Sequence, residues 1–270
     1  MKAPAAEGPA AARGAALAII SGSGLSVIPD GVEIVDELSY ERLGWPVTGV
    51  TGHPSRLLIG RWPVPGAATP GERPTVLLAC GRPHRYEGWS STDLRRPVDD
   101  LAAWGVRRLV LTNAAGGLGG EVAPGGAVVV DEVIDLQQAP RQDSEAPRLA
   151  ATAPALAEAA CAALAPFLPA RRGRYVSVAG PHYETPAEAA WLSAVADAVG
   201  MSTVHEVRAA IDHDLELCAI SLIVNRSGAS VGHTEVLAVG ARLAAGLGAG
   251  LTALLLSCWP RVFGESTDPD

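Results

Sequence analysis

The feature that most limits the fold of this chain is a series of short apolar runs, each of which stops at glycine or at a polar cluster. The clearest are AALAII at 15–20 before SGSG, TVLLAC at 75–80 before GR, and RLVLT at 108–112 before NAAGG. Because consecutive positions are apolar, both faces of each predicted strand must be buried. Such strands require a sheet that is covered by helices on both sides.

The remaining chain alternates between further strands and helical stretches. Strands are predicted at 56–59, 126–131, 174–179 and 216–224, and helices at 93–104, 153–168, 185–199 and 233–258. No internal repeat is visible. The alternation predicts an α/β fold: a single domain with a central mixed, largely parallel twisted β-sheet flanked by helices. We place this domain at 15–260, between a disordered leader at 1–14 and a disordered tail at 261–270.

Charge and cysteine usage exclude several classes of function. The formal net charge of -8 argues against a nucleic-acid partner, since that needs clustered positive charge. The four cysteines have no metal-ligand spacing and indicate free thiols in a reducing compartment, so no metal site is predicted. The apolar stretch at 243–258 is shorter than the ~20 residues of a membrane span and predicts a buried helix. With no secretory signal recognised, we expect a cytoplasmic protein without a membrane partner.

The ends of the predicted strands carry the residues that suggest chemistry. In open α/β sheets, ligands bind beyond the carboxyl ends of the strands, where glycine-rich turns expose backbone N–H groups to an anion such as phosphate. Arg82, His84, Tyr86 and Glu87 follow the strand at 75–80, and arginine suits bidentate phosphate binding. These turns predict an anion site, although glycine at a strand end is also ordinary turn chemistry.

A second cluster follows the strand at 174–179. Tyr183 can stack on a planar heterocycle, and the carboxylate of Glu184 can hydrogen-bond to its edge. The alternative for Glu184 is a purely structural role as an acidic residue in the first turn of the next helix. That helix begins with Thr185 and Pro186, a capping threonine and a proline at the first helical position, with Glu188 completing the capping box.

Together, these segments resemble the trimeric class of purine nucleoside phosphorylases, to which the methylthioadenosine phosphorylases are related. The matching segments are GSGL at 22, GH with RL following at 52–57, GRPHRYEG at 81, VLTNAAGGL at 110, GPHYETPAE at 180, DAVGMSTVHEV at 197, ISLIVN at 220 and HTEVL at 233. They occur in the family's order over nearly the whole chain. The resemblance implies the nucleoside phosphorylase fold, a homotrimer, and phosphorolysis of purine nucleosides to the free base and ribose 1-phosphate.

The resemblance also implies which residues surround phosphate and the sugar. The phosphate-binding set would be Ser23, His53, Arg82, His84, the backbone amide of Ala114 and Ser202. Tyr86 and Met201 would contact the ribose, and His233 its 5′ end. Glu87 would orient His84.

On the base side, the resemblance implies that Tyr183 stacks on the purine, that Glu184 accepts hydrogen bonds from its N1 and 2-amino region, and that Asn225 faces O6 and N7. The expected catalytic residues are His84, Glu184 and Asn225. Preorganised electrostatics and positioning would suffice, with inorganic phosphate as co-substrate and with no metal or organic cofactor. Asn225 favours 6-oxopurines such as inosine and guanosine, because its amide N–H can donate to O6 whereas a carboxylate would repel it.

Two segments depart from the family pattern and leave alternatives open. Residues 135–152 lack the family's Gly-Pro-Asn element and contain no aromatic residue, and the loop between Asn225 and His233 is short. In the family, an aromatic residue from the first segment covers the ribose of a neighbouring subunit. The alternatives are a phosphorylase of a 5′-modified or 6-amino nucleoside such as methylthioadenosine, and a catalytically impaired ligand-binding homologue.

Overall fold

A mixed β-sheet forms the centre of this computed structural model, which describes residues 8–22, 25, 28–62, 73–120, 122–137, 148–229 and 232–258. The strands are β1 Leu17–Ser21, β2 Glu33–Ser39, β3 Arg56–Arg61, β4 Thr75–Cys80, β5 Arg108–Gly117, β6 Ala127–Asp135, β7 Arg148–Ala150, β8 Ala170–Ser177, β9 Ala198–Gly200 and β10 Glu216–Arg226. The helices are α1 Tyr40–Leu43, α2 Ser91–Ala103, α3 Pro154–Leu164, α4 Pro186–Leu192, α5 Val204–Asp212 and α6 His233–Cys258. The predicted mixed sheet flanked by helices is confirmed.

The strand pairings close one half of the sheet and leave the other half open. β5 pairs with β10, β10 with β6, β6 with β8, β8 with β9, and β9 with β5, which returns to the start. From β5 the sheet continues outward through β1, β4, β3 and β2. β4, β1, β5 and β10 run parallel, so their carboxyl ends meet at one edge of the sheet.

Alternate side chains of the central strands enter two hydrophobic clusters on opposite faces. In β1, Ala18 and Ile20 belong to one cluster, whereas Leu17 and Ile19 belong to the other. The first cluster includes apolar residues of α2 and α5, and the second those of α3 and α6. Burying each such leucine or isoleucine contributes about 1.5–3 kcal/mol. This arrangement explains why the strands are apolar at consecutive positions.

Helix α6 has the bounds that the sequence predicts. By length and composition alone, its Thr234–Cys258 stretch could cross a membrane. Leu247, Leu251 and Leu254 on one of its faces are fully buried in the second cluster, which also contains Leu164 of α3. This packing is typical of a core helix, as predicted for 243–258.

Three parts of the predicted organisation differ from the structure. The NAAGG segment is not a turn, because β5 continues through Gly117 in register with β10. The helix predicted at 185–199 ends at Leu192, and Ala198–Gly200 instead forms β9, which bridges β5 and β8. Ala10–Ala12, within the predicted leader, forms a 3-10 turn whose Ala12 is buried, so the ordered fold begins earlier than predicted.

Several elements have no counterpart in the prediction: β2, α1, β7, β9 and α5. Four of them are shorter than eight residues, and the first turn of α5 lies in the DAVGMSTVHEV segment, which matches a family motif. Residues 1–7 and 259–270, which hold half of the predicted leader and the whole predicted tail, lie outside the described residues. The division into one domain with two terminal segments therefore stays a prediction.

Candidate active site

One cavity lies where the carboxyl ends of the parallel strands meet. It is lined from β1 by Gly22, from the segment after β4 by Arg82, His84 and Tyr86, and from β5 by residues 113–116. Segments further along the chain complete it with Tyr183, Glu184, Val199, Gly200, Met201, Ser202, Val224, Asn225 and Val236. Arg82 and Glu184, which the sequence assigns to opposite ends of a bound nucleoside, therefore open into the same space.

The cavity brings together most of the residues that the sequence predicts for the site. Those lining it are His53, Arg82, His84, Tyr86, Ala114, Tyr183, Glu184, Met201, Ser202 and Asn225. Ser23 lies outside the described residues. His233 begins α6 and Val236 one turn later lines the cavity, but the side chain of His233 also lies outside the description.

Arg82 is held rigidly in a buried position, with only 3% of its surface exposed. Its Nη1 donates to the carbonyl oxygen of Thr112 at 2.9 Å, and its Nε donates to the carboxylate of Glu206. Its Nη2 is buried and makes no hydrogen bond to the described residues. Because a buried guanidinium donor needs an acceptor, the third nitrogen is suited to an anion in the cavity.

Gly22 owes its identity to this arginine. A Cβ at this position would lie 3.0 Å from Nη1 of Arg82 and 3.0 Å from Cα of Asn113. Any larger residue would push the guanidinium away from β5. The glycine that directly follows β1 is therefore needed for close approach.

Glu206 is a functional residue that the sequence analysis did not single out. It lies in α5, is 5% exposed, and pairs with Arg82 across 124 positions of sequence. The available signal was its place in the VGMSTVHEV segment, where only Met201 and Ser202 received roles. Ionic groups this deeply buried persist only when they are paired and hydrogen-bonded.

The segment before α5 has a strained backbone and accepts a hydrogen bond from a side chain of β5. Thr203 has φ +76°, which is uncommon for a β-branched residue, and its Oγ1 accepts a hydrogen bond from Nδ2 of Asn113 at 2.7 Å. The hydroxyl oxygen of Ser202 lies 3.3 Å from that of Thr203. This conformation presents Ser202 to the cavity.

His84 is oriented by Glu87, as the resemblance implies. Oε1 of Glu87 accepts from the backbone N–H of His84 at 2.8 Å and lies 3.1 Å from its Nδ1. Oε2 of Glu87 accepts from Thr48 and from the backbone of Gly49. Burial acts to raise the pKa of Glu87, but the hydrogen bonds from His84, Thr48 and Gly49 outweigh it and lower the pKa from 4.5 to about 2. The ionised carboxylate thus directs Nε2 of His84 away from Glu87.

His53 and Tyr86 pack on either side of the His84 ring. His53 meets it edge-on at a centroid distance of 5.2 Å, and Tyr86 stacks on it at 4.9 Å. Nδ1 of His53 accepts from the backbone N–H of Arg82 at 2.8 Å, which ties the His53 loop to the end of β4. Burial, with help from Glu87 and Tyr183, raises the pKa of Tyr86 to about 12 and keeps its phenol neutral.

The opposite wall of the cavity is polar and less buried. Tyr183 is 36% exposed, and burial is the main cause that raises the pKa of its phenol. Glu184 accepts a hydrogen bond from the hydroxyl of Ser227 at 2.6 Å. A bulge in β10 between Ile223 and Asn225 brings both Val224 and Asn225 to the cavity. This wall offers a ring, a carboxylate and an amide to a flat heterocycle.

The site contains no metal centre among the residues that the structure describes. No group of three or more His, Cys, Asp or Glu side chains within them could hold an ion. The geometry offers instead an anion-binding cluster around Arg82 and a hydrogen-bonding wall around Glu184 and Asn225, on two sides of one cavity.

The family model of the phosphorylase superfamily matches residues 16–255. Purine nucleoside phosphorylase 1 of Bacillus subtilis is 32% identical over 85% of this chain and 88% of that protein, and its Geobacillus stearothermophilus counterpart is 34% identical over 77% of each. A crystal structure of purine nucleoside phosphorylase from Schistosoma mansoni in complex with inosine is 28% identical, has a TM-score of 0.72, and matches over 90% of both chains.

We expect the buried pair of Arg82 and Glu206 to dominate local stability. Replacing Glu206 with Ala leaves a buried guanidinium unpaired and should lower the free energy of unfolding by about 3–5 kcal/mol. Replacing Glu37, whose ion pair with Arg56 is exposed, should change it by less than about 1 kcal/mol. Urea unfolding of both variants measures the difference, and equal effects would contradict the assignment.

The lowered pKa of Glu87 predicts a specific pH dependence of stability. A carboxyl whose pKa falls from 4.5 to about 2 on folding stabilises the protein above pH 4.5, and this contribution is lost as the pH drops toward 2. The difference in unfolding free energy between the wild type and Glu87→Gln should therefore be largest near neutral pH and shrink through this window. Denaturant unfolding at several pH values tests this, and a difference independent of pH would refute it.

Proposed function

This chain belongs to the purine nucleoside phosphorylases of the phosphorylase superfamily, and from that premise we propose that it uses inorganic phosphate to split inosine and guanosine into the free base and ribose 1-phosphate. The observation that carries the assignment is that Arg82 opens into the same cavity as Glu184 and Asn225. The distinct chemistry of its two sides matches an anion and a heterocycle bound to one sugar.

Phosphate would lie against Arg82, with Nη2 as the guanidinium donor that makes no hydrogen bond to the described residues. His84, His53 and Ser202 line the same side, together with the backbone of Ala114. β1 pairs with β5 only as far as Leu111, so the amides of β5 beyond that point are not covered by β1. Ser23 completes the proposed set from the segment after β1.

Ribosyl transfer needs opposite charges to be stabilised at its two ends. As the glycosidic bond breaks, the sugar gains oxocarbenium character, and the phosphate held by Arg82 lies against this positive charge and captures the anomeric carbon. The departing purine gains negative charge, which Asn225 relieves by hydrogen bonds at N7 and O6 while Glu184 fixes the ring. Tyr86 and Met201 line the space between and would contact the ribose. The roles are positioning and electrostatics.

We propose no metal or organic cofactor for this reaction, since phosphate is the nucleophile and the purine leaves without a covalent enzyme intermediate.

A reducing cytoplasm is the proposed location. Cys218 is a buried cysteine that forms no disulfide bond, which is compatible with that compartment.

A 5′-modified substrate is the second candidate. Val236 lies one helical turn after His233, the residue that the resemblance places at the 5′ end, and it presents an apolar surface to the cavity. Val50 adds a second apolar lining residue. Such a lining is compatible with an apolar 5′ substituent, so base release from methylthioadenosine should be assayed beside that from inosine and guanosine.

We expect base release from inosine and guanosine to require phosphate. Replacing Glu184 or Asn225 with Ala should lower kcat/KM about a hundredfold, because each removes a directed polar contact to the base. Asn225→Asp should raise activity on adenosine relative to inosine, since a carboxylate accepts from a 6-amino group and repels a 6-oxo group. Glu216→Ala, at an exposed ion pair with Arg108, is the matched control. Wild-type rates in both alanine variants would refute the base-site assignment.

The proposed assembly is a homotrimer. Large apolar side chains are exposed on and around α4, namely Tyr183, Trp191 and Val195. Leu136 and Trp191, also exposed, line a hollow together with Glu184. A patch of this kind on a soluble protein is typical of an interface.

Light scattering should give a native mass three times that of the chain. Trp191→Glu should reduce it, because a charge replaces a side chain that is 65% exposed in the single chain. Phe167→Glu replaces another exposed aromatic, which lies beside Gly246 of α6, and should leave the mass unchanged. A monomeric wild type would contradict the assembly.

A further inference from the structure

Ser227 contacts the proposed base-binding carboxylate directly. Its hydroxyl donates to Oε2 of Glu184 at 2.6 Å, and the residue is 9% exposed. It follows Asn225 by two positions and has no role in the function described above. A charge-assisted hydrogen bond of this length is among the stronger polar contacts that a protein makes.

Rigid elements hold Ser227 in this position. Its backbone N–H donates to the carbonyl oxygen of Gly117 at 3.0 Å, at the end of β5. A Cβ on Gly116 would lie 3.2 Å from Cβ of Ser227, so the serine lies close over the strand.

The next residue fastens the same turn to α4. Gly228 has φ +78°, and a Cβ there would lie 2.9 Å from Cβ of Ala189 and 3.1 Å from Cα of Pro186. The turn after β10 is therefore fitted closely against α4, which begins two residues after Glu184. Because both partners are fixed by backbone packing, the hydrogen bond between them is preorganised.

We propose that Ser227 is a specificity-determining positioning residue that fixes the carboxylate of Glu184 and occupies one acceptor position on its Oε2. The proposal rests on the proposed function, in which Glu184 faces the purine. With Oε2 engaged, Oε1 is the oxygen left fully available to the base.

Because the two 6-oxopurines differ in their hydrogen-bond donors, this geometry predicts a preference between inosine and guanosine. Hypoxanthine presents one donor on this edge, its N1–H, whereas guanine presents N1–H together with a 2-amino group. Oε1 alone can accept from the N1–H of hypoxanthine. The second donor of guanine must share Oε2 with the hydroxyl of Ser227, since a carboxylate oxygen has two acceptor positions and the serine takes one of them. Ser227 therefore tilts selectivity toward inosine.

Steady-state kinetics of Ser227→Ala with inosine and guanosine at saturating phosphate tests the proposal. We expect kcat/KM for inosine to fall about tenfold, mainly through KM, because the orientation of the carboxylate is lost. The kcat/KM for guanosine should fall less, so that the ratio of kcat/KM for guanosine to that for inosine rises at least threefold. Ser227→Thr keeps a hydroxyl and should stay within threefold of the wild type for both nucleosides. Ser193→Ala, which removes an exposed hydroxyl at the end of α4, is the matched control.

A guanosine-to-inosine ratio that stays at or below the wild-type value in Ser227→Ala overturns the proposal. A purely structural role would lower both activities together with the unfolding midpoint and leave this ratio unchanged, so the ratio separates the two roles. A wild-type protein that releases base from neither nucleoside refutes the proposed function itself. An active wild type with an unchanged ratio in the variant refutes only the role of Ser227.

Discussion

The site depends on one buried cation and on the two groups that hold it. Arg82 is anchored by the carboxylate of Glu206 and by the carbonyl oxygen of Thr112, which leaves its Nη2 without a hydrogen bond to the described residues. This arrangement ties the end of β4 to β5 and α5, so the position of the charge is set by three elements distant in sequence. Gly22 permits the close approach. In the proposed reaction, phosphate would meet a positive charge that is already held in position.

On the opposite wall of the cavity, polar side chains are also held by neighbouring residues, but Tyr183 there is more exposed than Arg82. Glu184 precedes α4, Asn225 follows the bulge in β10, and Ser227 joins the turn after β10 to the carboxylate. Each polar group is positioned by a neighbour: Glu87 holds His84, Glu206 holds Arg82, and Ser227 holds Glu184. A site built from supported side chains loses little freedom when substrate binds, which is the physical source of its rate enhancement in the proposed reaction.

The closure of half the sheet explains why residues from the whole chain meet. β9 has only three residues, yet it bridges β5 and β8 and places Met201 and Ser202 immediately beyond its end. Local patterning at 185–199 predicts one continuous helix, and this is wrong because pairing with β5 and β8 outweighs helical propensity at Ala198–Gly200. The extension of β5 through NAAGG has the same cause, since β10 supplies hydrogen-bond partners that a local reading of glycine does not anticipate.

The apolar strands, the bounds of α6 and the polar segments after each strand could be predicted from the sequence, because burial on two faces and turn chemistry are local properties. Motifs in family order also identified ten of the residues that line the cavity. Which side chains support these residues depends on the tertiary fold. Glu206 lies 124 positions from Arg82, and Ser227 lies 43 from Glu184. Such pairs depend on strand register and helix docking, which no local pattern encodes.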